Sequence, residues 1–149
     1  MKSLIPMLAF LVACGGGDDG EPIDGTVVIT VGSNTITPNV GAALVDADDP
    51  NDMVVIVGTS GVNCSTNFDE APLEGTAFFA TVPQTVGTTE TFGWVSRSSS
   101  GSLSLNGSSA TVIIDGLGDR VTGSVVFDTI DEDDGEITVS GTFDVISCL

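Results

Sequence analysis

The chain has no histidine and no tyrosine, a single tryptophan, and only three basic residues against 21 acidic ones. Each shortage removes a class of function. Without histidine there is no imidazole base to activate a serine or a thiol, so the usual nucleophilic constellations are missing. Zinc and iron lose their commonest nitrogen ligand. A net charge of −18 repels nucleic acid and anionic lipid headgroups, both of which are held by Lys and Arg on phosphate. The acidity reads most simply as solvation, because net charge bears on solubility rather than on fold. Scarce aromatics, 5% in all, argue against a membrane barrel, which carries girdles of Trp and Tyr. No Gly-x-Ser-x-Gly elbow and no glycine-rich phosphate cradle with a following Lys occurs.

What the sequence does have begins at residue 1. Lys2 precedes an apolar run from Leu4 to Ala13, and Cys14 follows it. The run matches a secretory h-region and falls well short of the roughly 20 residues a spanning helix needs. Leu11-Val12-Ala13-Cys14 resembles the lipobox of bacterial lipoproteins. The resemblance covers the first 14 residues and implies cleavage before Cys14, whose thiol would carry a diacylglycerol and whose amine a further acyl chain such as palmitate. In enterobacterial lipoproteins an aspartate after that cysteine signals inner-membrane retention. Gly15 stands there in this chain, so the resemblance implies a membrane partner through the anchor and an outer-membrane location in a Gram-negative envelope. Loss of Lys2 with residues 1–13 leaves Arg97 and Arg120 as the only cations of the mature chain, at a side-chain charge of −19.

Residues 14–25, rich in Gly and Asp, read as a lipidated cysteine and a solvated tether. Fully stretched, such a tether would hold the domain at most roughly 35–40 Å from a bilayer. Residues 26–149 then read as one domain. Cys64 and Cys148 remain after Cys14, and in an exported chain they pair most simply as a disulfide.

From Thr26 onward the hydrophobic period is two, with no helical window. Val27, Ile29 and Val31 share a face. Met53–Val57 is an unbroken apolar run, the mark of a strand covered on both sides. Phe92 and Trp94 share a face of the Thr91–Arg97 segment. Leu103 and Leu105 precede Asn106-Gly107, a favoured hairpin dipeptide, and read as a short strand ending there. Val121, Gly123, Val125 and Phe127 alternate into a loop at Asp131–Gly135, from which Ile137, Val139, Gly141, Phe143 and Val145 return. Centring that loop on Glu132 sets Gly123 opposite Gly141. The resulting dent would be filled by a large side chain from a facing sheet, with Trp94 the candidate, or else both glycines mark bulges. Counting by twos from Val145 puts Ser147, not Cys148, inward, which requires either a break in the strand or a disulfide at the rim of the sheet.

Eight to ten short strands with no crossover helices predict an all-β antiparallel sandwich, with a closed or partly open barrel as the alternative. Two loops crowd carboxylates: Asp46, Asp48, Asp49 and Asp52 in one, Asp131, Glu132, Asp133, Asp134 and Glu136 in the other. Oxygen-rich loops suit Ca²⁺, which takes six to eight oxygen ligands. Neither loop keeps EF-hand spacing, and Asp-rich turns also arise from ordinary turn chemistry. The functional expectation is a binding or structural module of the envelope. The alternatives are a calcium-dependent adhesion or carbohydrate-binding module, and a hydrolase of envelope polysaccharide using paired carboxylates. The hydrolase needs two carboxyls facing each other across a cleft about 5–10 Å apart.

Overall fold

The computed structural model describes residues 20–67, 74–99 and 102–149. They form ten strands and no helix: β1 (Asp24–Gly25), β2 (Val28–Val31), β3 (Asn34–Ile36), β4 (Val40–Val45), β5 (Asp52–Gly58), β6 (Gly75–Pro83), β7 (Gly87–Ser99), β8 (Ser102–Gly116), β9 (Arg120–Asp131) and β10 (Gly135–Cys148). The all-β class agrees with the alternation in the sequence. The last four strands are longer than expected, at 12 to 15 residues each.

Following hydrogen bonds from β4 through β5, β6, β7, β8, β9 and β10 leads back to β4, so the strands close a ring. Closing pairs Ile146–Cys148 of β10 with Ala42–Leu44 of β4, and this pairing is parallel; the other strand pairings described are antiparallel. The ring opens out between β6 and β7, whose ladder stops at Ala80 and Gly93, with only the Thr91 hydroxyl reaching the Thr81 carbonyl beyond it (2.8 Å). Two walls result, β4–β6 and β7–β9, in the manner of a sandwich or partial barrel. Phe78 of β6 meets Phe127 of β9 between them, ring centroids 5.4 Å apart.

The alternating positions of β2, β5, β6, β8, β9 and β10 supply the interior, with Ile29, Met53, Ile114, Ile137 and Val145 fully buried. Each such side chain contributes about 1.5–3 kcal/mol by leaving water. A second, smaller core lies outside the ring. Ala42 and Leu44 of β4, Ile56 of β5 and Ala77 of β6 point away from the interior and are covered by Val62 of the β5–β6 loop, with Ile146 and Cys148 packed against them. The two-sided covering expected for Met53–Val57 is therefore present.

This outer core resolves the parity of Cys148. The strand runs unbroken to Cys148, which points outward beside Leu44 and forms a disulfide with Cys64, Cα atoms 5.4 Å apart. A break in β10 is not needed.

Three local expectations are corrected. The loop after β9 centres on Asp133, pairing Gly123 with Phe143 and Gly141 with Val125, two residues away from the expected register. The Phe143 ring fills the space over Gly123, within 2.8 Å of where a Cβ would stand, so the neighbouring strand does what was expected of Trp94. Gly141 has φ of 122° and marks the point where β10 changes neighbour from β2 to β1; the Thr26 and Val27 amides both donate to the Thr142 carbonyl there. Asn106-Gly107 is not a turn but the middle of β8, with Gly107 opposite Trp94. The rings of Phe92 and Trp94 lie over Gly107, where any Cβ would meet them at 2.5–2.6 Å. Finally, the tether expected over residues 14–25 does not extend to 25: the Glu21 amide donates to the Val62 carbonyl (2.8 Å), Pro22 bridges Val40, and β1 pairs with β10. Cys14 lies outside the described residues.

Candidate functional site

The continuity of β8 through Gly107 determines what its side chains do. Ala110, Val112 and Ile114 face the interior, so two-residue periodicity sends Leu103 and Leu105 to the outer surface. On β7 the buried Gly93 and Val95 put Phe92 and Trp94 outside, and on β9 the buried Val125 and Phe127 do the same for Val126 and Ile130. All these outward residues lie on one wall. Ile130 is 81% exposed, Val126 62%, and Phe92, Leu103 and Leu105 each about half. Trp94 is half-buried against Phe92, edge to face at 5.0 Å.

The register arranges them in rows. Phe92 pairs with Ser109, Trp94 with Gly107 and Ser96 with Leu105 across β7 and β8. Thr111 pairs with Val126 across β8 and β9. The same register, continued, sets Asn106 level with Asp131, and a 2.7 Å hydrogen bond joins these two side chains. Gly107 then lies level with Ile130, and Ser109 with Asp128. The outer wall is thus a mosaic of apolar side chains with exposed carboxylates at Glu90 and Asp128. Glu90 accepts the Thr111 hydroxyl (2.8 Å).

Of the calcium candidates, Asp46, Asp49, Asp131 and Asp134 are engaged otherwise. Asp131 and Asp134 converge, but on Arg97, which points inward from β7 at the end of the ring. Its guanidinium also donates to Ser104 Oγ (3.1 Å) and Asn106 Oδ1 (3.2 Å). Asp131 Oδ1 accepts the amides of Asp133 (2.8 Å) and Asp134 (3.0 Å), so the hairpin loop is closed by its own carboxylate. The Asn106 amide, those two loop amides and the Arg97 charge hold Asp131 below the usual carboxylate range. In the other loop Asp46 Oδ1 accepts the amides of Asp48 (2.7 Å) and Asp49 (3.3 Å), and Oδ2 accepts the Thr81 hydroxyl (3.2 Å). The Asp48 amide foremost, with the Asp49 amide and the Thr81 hydroxyl, lowers the Asp46 pKa against the opposing effect of burial. Asp49 caps Asn51 in the same way. Among the described residues no three Asp, Glu or Cys side chains converge to hold a metal ion.

A pocket of about 230 Å³ lies between the β4–β5 loop and the covering β5–β6 loop, lined by Leu44, Val45, Asp46, Asp48, Val54 and Thr66 among others. Its two carboxylates belong to one turn, and Asp48 donates its amide to Asp46, so they share a wall rather than flank a cleft. A carboxylate whose pKa is lowered is poorly suited to act as a general acid.

Arg120, at the opposite end of β9 from Asp131, pairs with Asp144 and donates to the carbonyls of Asp144 (2.7 Å) and Pro22 (3.3 Å). Both arginines are thereby committed to carboxylates of this chain.

The sequence hides the outer wall because Asn106-Gly107 carries the chemistry of a hairpin turn. Taken as one strand, the odd-numbered Leu103 and Leu105 and the even-numbered Val112 and Ile114 cannot share a face, and that mismatch is the signal. No family model, curated protein or solved structure matches the chain.

Proposed function

We propose that this protein is a lipid-anchored binding module of the bacterial cell envelope, with the outer face of β7–β9 as its contact surface. One observation carries the reading: six large apolar side chains stand on a single wall with no covering element among the described residues, while the opposite wall is largely covered. Contiguous exposed apolar area of this kind is where proteins meet other surfaces. The anchor rests on the lipobox resemblance at Cys14 and on the Gly- and Asp-rich stretch after it. Multiple acyl chains give stable attachment at about 0.8 kcal/mol per buried methylene, where one chain would be marginal. The Gly15 rule supports the outer membrane.

Two experiments test the reading. Cys14→Ser should leave an uncleaved precursor or release the domain from membranes; a processed variant that still partitions like wild type removes the anchor. A photo-crosslinking residue at Leu103 should form adducts in intact cells, and the same residue at Ser65 on the covering loop should not. Equal labelling at the two positions, or none at Leu103, removes the contact surface.

A further inference from the structure

The wall has a sign as well as a shape. Its outward carboxylates, Glu90 beside Phe92 and Asp128 between Val126 and Ile130, alternate with the apolar positions. Among the described residues no cation offsets them: Arg97 is turned inward onto Asp131 and Asp134, and Arg120 is held by Asp144. Resting on the binding-module reading above, we infer that this face docks a partner protein presenting Lys or Arg side chains around an apolar anchor.

The charge selects among occupants. A second copy would bring the same carboxylates and a net charge of −18 or more negative against its own kind, and like charges placed opposite one another suppress association. Anionic lipid headgroups are repelled for the same reason. A neutral sugar would use the two aromatic rings, but Phe92 and Trp94 stand edge to face rather than as one flat platform, and Val126, Leu103, Leu105 and Ile130 offer sugars no hydrogen bonds. A polypeptide with alternating basic and apolar side chains satisfies both components of the mosaic. Apolar anchors would be enclosed against Ile130 and the Phe92–Trp94 pair, and the cations would meet Glu90 and Asp128. Such an arrangement speeds encounter and sets register as well as adding affinity.

Trp94 is the chain's one tryptophan and stands on the face, so its emission reports occupancy directly. The mature acylated chain in neutral phosphatidylcholine nanodiscs is titrated with a tryptophan-free peptide alternating Leu and Lys, and with its Leu–Glu counterpart. The Leu–Lys peptide should shift Trp94 emission to shorter wavelength, and the Leu–Glu peptide should not. Asp128→Asn combined with Glu90→Gln should weaken the response about tenfold, and Ile130→Ser by a similar factor. Asp48→Asn, in the distant β4–β5 loop, should leave it unchanged. No shift with the Leu–Lys peptide, equal response to both peptides, or equal weakening by Asp48→Asn overturns the inference. So does a shift that tracks protein concentration without peptide, which assigns the face to a second copy. A shift seen without peptide between the soluble Cys14→Ser chain and the acylated wild type on the nanodisc assigns the face to lipid and also overturns the inference. If the peptide fails while Leu103 still crosslinks in cells, the basic partner falls and the binding module stands.

Discussion

The β4–β6 wall and the β7–β9 wall are built by the same alternation and end in opposite states. Ile56 and Val62 on the first are fully buried outside the ring, whereas Ile130 on the second is 81% exposed. The difference is not in the strands, since both walls send large apolar residues outward. It lies in the β5–β6 loop, which folds back over its own wall, is held there by Cys64–Cys148 and the Glu21–Val62 backbone bond, and has no counterpart among the described residues on the other side. A sheet face thus becomes a core or stays exposed according to whether the chain returns to cover it.

Four changes would break or sharpen that contrast. The largest effect is expected where the walls share material: Phe127→Ala empties the contact with Phe78 and should cost about 3–5 kcal/mol in chemical denaturation, lowering protection on both walls together. Next comes the disulfide. Closing 84 residues restricts the unfolded chain by roughly 4–5 kcal/mol in loop-closure entropy, and a paired Cys64→Ala and Cys148→Ala variant should lose about 2–5 kcal/mol. Hydrogen exchange should then rise over β4, the end of β10 and residues 59–67, with β7–β9 little changed. Uniform deprotection would show the cover to be inseparable from the ring.

A smaller effect follows from acid. Asp131 and Asp46 have folded pKa values below their ordinary value, so their contribution is present above the unfolded pKa near 3.8 and is lost as pH falls through the lower folded values. Asp131→Asn should flatten the loss of stability on that acid limb and loosen the β9–β10 loop around Arg97. An acid limb unchanged in the variant would show that the Arg97 cluster contributes nothing. The smallest effect belongs to the bare wall: Ile130→Ser should change folding stability by no more than about 0.5 kcal/mol, because the side chain is already in water. A loss of several kcal/mol there would mean the wall is covered after all.

Much of this was legible before the structure. The inward faces of β9 and β10 follow from Val121–Phe127 and Ile137–Val145, and the cysteine pair from arithmetic. The register of their hairpin was not, because a centre at Glu132 or Asp133 satisfies the alternation equally and only the loop bonds to Asp131 Oδ1 choose between them. The carboxylate loops were visible as clusters, yet their occupation was not: Arg97 lies 34 residues before Asp131, and nothing local brings them together. Asn106-Gly107 has hairpin chemistry, overridden by a β7–β8 ladder that is paired on both sides of it.

By itself the sequence determined the all-β class and the segments that alternate, since parity is a property of neighbouring residues and travels only along a strand. What lay outside the ring at Cys148, which wall a loop would return to cover, and which would stay bare were decided by tertiary structure. Those outcomes depend on contacts between positions as distant as Cys64 and Cys148, and two-residue periodicity carries no information across that separation.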